Sequence, residues 1–216
     1  MRAFLSDQER AHLDRRVAEA EERVGAQIVL AVIGRSDDFA ELPWKAFALG
    51  AAIAGPAAAL IAILRPTWTQ AADVLLVVVA TLGAGALSAL ACIALPPFAR
   101  CFLDRHRAEE EVRQYAQSLF LDRELFATRG RTGVLLLVSL FERQVVLLPD
   151  KGLEQRLSRE ASQEIVGRVT TSLARGRVGH ALEDGLAGLE DALAVSATGS
   201  RREDELPDDI VEEEGA

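Results

Sequence analysis

RGRTGVLLLVSLFERQVVLLPDKGLEQRL, residues 129–157, is the stretch whose reading decides the fold. Its core is two continuous apolar runs, GVLLLVSL (133–140) and QVVLLPD (144–150), each of strand length and rich in branched residues. Runs that are apolar throughout, instead of alternating, belong to strands covered on both faces. Phe141, Glu142 and Arg143 leave only a short link between them, so the two strands pair as a hairpin. Pro149 and Asp150 end the second strand, and the glycines of Arg129–Gly133 break the element before the first.

Upstream, AQIVLAVIG (26–34) reads as another buried strand. A helix precedes it: Ser6 followed by Glu9 is a capping-box start, and Leu13, Val17, Ala20 and Val24 form one apolar stripe. A helix over 108–126 carries Val112, Tyr115 and Leu119 on one face. Two closing helices carry Leu157, Ala161, Ile165, Val169 and Leu173, then Leu182, Leu186, Leu189 and Leu193. One-stripe helices and two-sided strands must cover each other. The expected fold is therefore α/β, a small central sheet flanked by helices. The strand at 26–34 should pair with Gly133–Leu140, with helix 108–126 as the crossover.

Two uncharged apolar stretches interrupt that domain, at 46–64 and 74–97. Each is long enough to cross a hydrocarbon core of about 30 Å as a helix. Only Arg65–Asp73 separates them, which predicts a two-helix transmembrane hairpin. The short loop offers Arg65 alone, whereas the outer flanks carry Arg35, Lys45, Arg100, Arg105, Arg107 and Arg113. That bias places both termini in the cytoplasm of a two-pass protein of the cell inner (plasma) membrane. Trp44 and Trp68 sit at the ends of the first span, where interfacial aromatics are expected. Small residues at four-residue spacing (Gly50/Ala54, Ala51/Gly55, Ala84/Ser88, Gly85/Ala89) permit close helix approach, within the hairpin or between copies. No charge lies inside either span, which counts against a transport path.

The expected organisation is a discontinuous domain of 1–43 and 101–195, a hairpin over 44–99, and an acidic disordered tail over 196–216. Residues 201–216 hold eight acidic and two basic residues, most of the chain's net −9. With a pI near 5.0, nucleic acid is not an expected partner. The bilayer is, together with a protein partner or self-association through the membrane helices. Cys92 and Cys101 suit reduced thiols, and His12, His106 and His180 are scattered without metal spacing.

The order of a capped helix, a GAQIVLAVIG strand, a helix with YAQSLF, then TGVLLLVSLFERQVVLLPDKGLEQRL and two amphipathic helices is similar to the TPM-domain family, in particular its membrane-anchored bacterial branch. The resemblance covers about 6–41 and 108–195. It implies a central sheet flanked by helices. Some members are described as acid phosphatases and others as calcium binders, so Ca²⁺ or Mg²⁺ and a membrane-bound phosphatase are what the resemblance allows. Members often carry an Asp-Asn-Gly-like turn before the second strand; Arg131–Thr132–Gly133 stands there instead, and Asp150 is the acidic loop residue that carries over.

Among the residues themselves, Arg129, Arg131 and Thr132 beside flexible glycines could hold an oxyanion with guanidinium forks and backbone N–H groups, joined by Arg143 from the next turn. They equally suit solvated turns, or ion pairs with Glu142, Asp150 or lipid phosphates. Glu142 and Asp150 are the candidate carboxylates. No metal-ligand spacing and no G-x-S-x-G, Walker or G-x-G-x-x-G motif is present. Two functions follow: a binding or assembly module at the membrane, or a TPM-type phosphatase.

Overall fold

The structure is a computed structural model and describes residues 4–64, 70–194 and 210–215. In chain order the elements are α1 (Asp7–Val24), β1 (Gln27–Arg35), α2 (Glu41–Leu64), α3 (Gln70–Ala94), α4 (Pro96–Ala99), α5 (Arg105–Asp122), β2 (Gly133–Ser139), β3 (Gln144–Pro149), α6 (Arg159–Ala174), α7 (Val178–Ala194) and β4 (Val211–Gly215). They form two units, Met1–Asp37 with His106–Ala216, and Asp38–Arg105.

The first unit is a four-stranded sheet in the order β3-β2-β1-β4. β1 and β2 run parallel, from Gln27 opposite Gly133 to Ile33 opposite Ser139, so the expected pairing and its α5 crossover are present. β3 returns antiparallel on β2. Successive side chains alternate between faces. Ile28, Leu30, Val32, Val134, Leu136 and Val138 join the cluster built with α1, α6 and α7. Val29, Ala31, Ile33, Leu135 and Leu137 join that of Val112, Ala116 and Leu119 on α5. Two-sided cover is why β1 is apolar from Ile28 to Ile33 and β2 from Val134 to Val138. α1 begins as expected, with Ser6 Oγ accepting from the Glu9 N–H and the Glu9 carboxylate accepting from the Ser6 N–H.

The end of the chain differs from expectation. Residues 210–215 are not a solvated tail: Val211–Gly215 is β4, parallel to β1 with Ala31 opposite Val211. Ile210 and Val211 are buried, one on each side of the sheet. Glu212 pairs with Arg10 at 2.7 Å, and Glu213 accepts a hydrogen bond from Tyr115. Two apolar residues enter the core, and the glutamates that follow find a cationic partner on one face and a hydroxyl partner on the other, which overcomes the acidity of the segment. The rest of the expected tail, 196–209 and Ala216, lies outside the described residues, as do 65–69 of the expected loop, including Trp68.

In the second unit α2 and α3 pack along their lengths. Gly50 lies where a Cβ would meet Ser88 Oγ at 2.3 Å and the Ala84 carbonyl at 2.6 Å, the close approach that the small-residue spacing predicts. Both helices are long and apolar enough to cross a membrane, and only 11% and 6% of their apolar windows are buried. Ile63 and Ile93 are at least 70% exposed. A buried core helix of a soluble protein would not leave its large residues uncovered in this way. The second apolar helix ends at Ala94, not 97. Pro96 and Pro97 lack the N–H that would continue it and start α4 instead.

Candidate functional site

The polar residues singled out in the sequence fall at opposite ends of β2. At its amino end, Arg131 adopts φ +52°, and its N–H donates to the Thr128 carbonyl at 2.9 Å. The Thr132 N–H donates to Thr128 Oγ1 at 3.0 Å, while the Thr132 carbonyl accepts from Gln27 N–H at 3.1 Å. Thr132 is therefore buried turn structure. β3 returns to the same place and delivers Asp150. Arg131 Nε donates to Asp150 Oδ2 at 2.7 Å and Nη2 to Oδ1 at 2.9 Å, a bidentate fork. Oδ1 also accepts from the Lys151 N–H at 2.8 Å.

The two turns interlock further through Gly152. Its N–H donates to the Arg131 carbonyl at 2.8 Å. A Cβ there would lie 2.2 Å from the Gly130 oxygen and 2.6 Å from that of Arg131. Burial is the largest influence on Asp150 and opposes ionisation, but the Arg131 fork, the Lys151 N–H and both positive charges together hold its carboxyl below the usual carboxylate range. Arg131 is in turn held more firmly protonated, first by the Asp150 hydrogen bonds. A lowered pKa means that Asp150 adds stability above its ordinary value of 3.8, lost as pH falls through the lower folded value. Asp150→Asn is expected to cost about 1–2 kcal/mol at pH 7, since the fork's arginine is half exposed. The gap from wild type should close as pH drops below 3.8, read from urea midpoints at several pH values.

At the other end, where β1 and β2 finish, Glu142 is buried in the link between β2 and β3. Its Oε1 accepts from the Ser36 N–H at 2.8 Å and Ser36 Oγ at 2.7 Å, and its Oε2 accepts from Ser139 Oγ. The carboxylate thus ties the chain leaving β1 to the β2–β3 link. Arg143 sits in that link at φ +54°, exposed. Seven strand residues at roughly 3.3 Å each separate it from the Arg131 turn, so Arg129, Arg131, Thr132 and Arg143 do not converge on one anion. Arg129 is exposed beside Arg131, whose fork is taken by Asp150.

Sequence reasoning passed over Ser36 and the proximity of Ser139 to a carboxylate. The i, i+3 spacing of Ser139 and Glu142 was the available signal; Ser36 reaches Glu142 only through the β1–β2 register. Ser139 is fully buried, and its carboxylate is shared with Ser36, so it is a structural hydroxyl with no path to a substrate. Calcium asks for six to eight oxygen ligands. Among the described residues no group of three His, Cys, Asp or Glu side chains could hold an ion. The oxygens of Asp150 and Glu142 already serve Arg131 and the two serines, so these donors do not fit Ca²⁺ or Mg²⁺.

With that geometry in place, residues 102–192 match the family model described as the TPM domain. The chain carries a TPM domain. The matched segment starts after the apolar helices, yet the central strand β1 of the sheet precedes them, so this TPM domain is completed by residues far upstream. The structure is similar to that of BA42 protein from the psychrophilic bacterium Bizionia argentinensis, with a TM-score of 0.59 over 98% of this chain and 97% of that one. Identity is 15%, so the likeness is one of fold. No curated protein matches the chain.

Proposed function

We propose that this is a two-pass membrane protein whose TPM domain lies in the cytoplasm and serves as a binding or assembly module at the membrane. The observation that carries the reading is the state of the site's polar groups. Asp150 is locked in an ion pair and Glu142 is consumed by two serines, leaving neither as a nucleophile or base that a phosphate ester could reach. The apolar, uncovered faces of α2 and α3 support insertion in a bilayer, and the arginine bias of the flanks supports cytoplasmic termini. The partner is another protein or a second copy, without a resident metal.

The full chain in detergent, assayed with a generic phosphate ester with and without Ca²⁺ or Mg²⁺, should give no turnover above buffer. Metal-dependent turnover abolished by Asp150→Ala would overturn this reading in favour of a TPM-type phosphatase. A reporter fused after Ala216 should be active in the cytoplasm alone; activity on the far side of the membrane reverses the orientation.

A further inference from the structure

Among the described residues the sheet has two edge strands, β4 and β3. β4, beside β1, carries the charges of Glu212, Glu213 and Glu214, whereas β3 has β2 on one side only. The Asp150 N–H donates to the Gly133 carbonyl, which fixes the parity of the ladder. Residues 144, 146 and 148 bond to β2, and Val145, Leu147 and Pro149 turn their backbone groups outward. Pro149 has no N–H and ends the free ladder. Between Gln144 and Leu148 there is no lysine, no charge and no proline, the devices that normally blunt an edge. The edge instead forms the floor of a groove whose other wall carries Glu109 and Arg113 of α5. Both are exposed, and neither makes an ion pair among the described residues.

We infer that β3 pairs antiparallel with β3 of a second copy about a two-fold axis at Val146, a reading that rests on the assembly function above and names its partner. The groove spans Gln144–Leu148, and Val146 is its midpoint, so a two-fold there overlaps both grooves along their length. Val145 then stands opposite the partner's Leu147, and Leu147 opposite the partner's Val145, which uses all the free N–H groups. Isologous contact requires a self-complementary surface. The α5 wall supplies one: the same two-fold sets Glu109 toward the partner's Arg113 and Arg113 toward the partner's Glu109. The two four-stranded sheets become continuous.

The test uses the full chain in vesicles with Cys92→Ala and Cys101→Ser. Val146→Cys is expected to give a disulfide-linked dimer under mild oxidation, because directly opposed Cβ atoms lie about 4.5–5.5 Å apart. Gln144→Cys lies on the same face but roughly 13 Å from its own copy across the axis, and should crosslink at least tenfold less. Glu109→Arg or Arg113→Glu alone places like charges together and should lower the Val146→Cys dimer yield roughly fivefold. The double exchange should restore it, and both sites are exposed, so the fold is kept. Absence of the Val146→Cys dimer, equal crosslinking at 144, or a double exchange no better than the singles overturns the β3 pairing. That failure with the ester assay silent overturns the pairing alone; ester turnover removes the assembly reading whatever the crosslinks show.

Discussion

Gly152→Ala is expected to destabilise the TPM domain by about 3 kcal/mol and to lower its melting temperature by roughly 10 °C. The added methyl would stand 2.2 Å and 2.6 Å from two backbone oxygens, those of Gly130 and Arg131. Neither is the end of a flexible side chain. Relief requires the Arg131 turn to move, and the Gly152 N–H to Arg131 carbonyl bond and the Arg131–Asp150 fork sit on that turn. Gly167→Ala supplies the contrast. On α6 its Cβ meets nothing within 4 Å, and alanine should stabilise the helix by about 0.5–1 kcal/mol. Equal melting temperatures for the two variants would show that the two turns are not interlocked.

Glu142→Ala is the second large effect, about 3 kcal/mol. The loss strands the Ser36 N–H, the Ser36 hydroxyl and the fully buried Ser139 hydroxyl. Each unsatisfied buried donor costs about 1–3 kcal/mol, reduced where water can enter. Glu142→Gln keeps an acceptor oxygen and should lose less than half as much. Hydrogen exchange localises the effect: the Ser36 amide should exchange much faster in Glu142→Ala and remain protected in Gly152→Ala. An unchanged Ser36 amide in Glu142→Ala would mean that Glu142 does not hold the end of β1.

What could be read in the sequence follows from the range of each signal. The apolar runs at 26–34, 133–140 and 144–150 declare strands through their own composition, and Ser6 with Glu9 declares a helix start within four residues. The family resemblance added the order of elements. Arg131 and Asp150 were both singled out, but their fork depends on β3 returning beside the start of β2. Glu142 lies 106 positions from Ser36, and only the parallel register of β1 and β2 joins them. β4 was hidden for a different reason. A window rich in glutamate reads as solvated, and the partners that satisfy it, the Arg10 cation and the Tyr115 hydroxyl, are distant in sequence.

The position of β1 ahead of the apolar helices sets the order of events on the ribosome. β1 leaves the tunnel with its whole apolar length unpaired, and β2 follows only after roughly a hundred more residues, including both helices. At ordinary synthesis rates that is a wait of roughly 5–20 s. Synthesis of both apolar helices therefore precedes closure of the sheet, and a nascent chain stalled before Gly133 holds α1 and β1 without the strand that β1 needs. β4 is the last of the four strands to emerge, and it then pairs with the second side of β1 from Ala31 onward. Biogenesis of this protein is thus a race between translation and the sticking of a bare strand, and chaperone dependence should rise in proportion to any delay between residues 36 and 133.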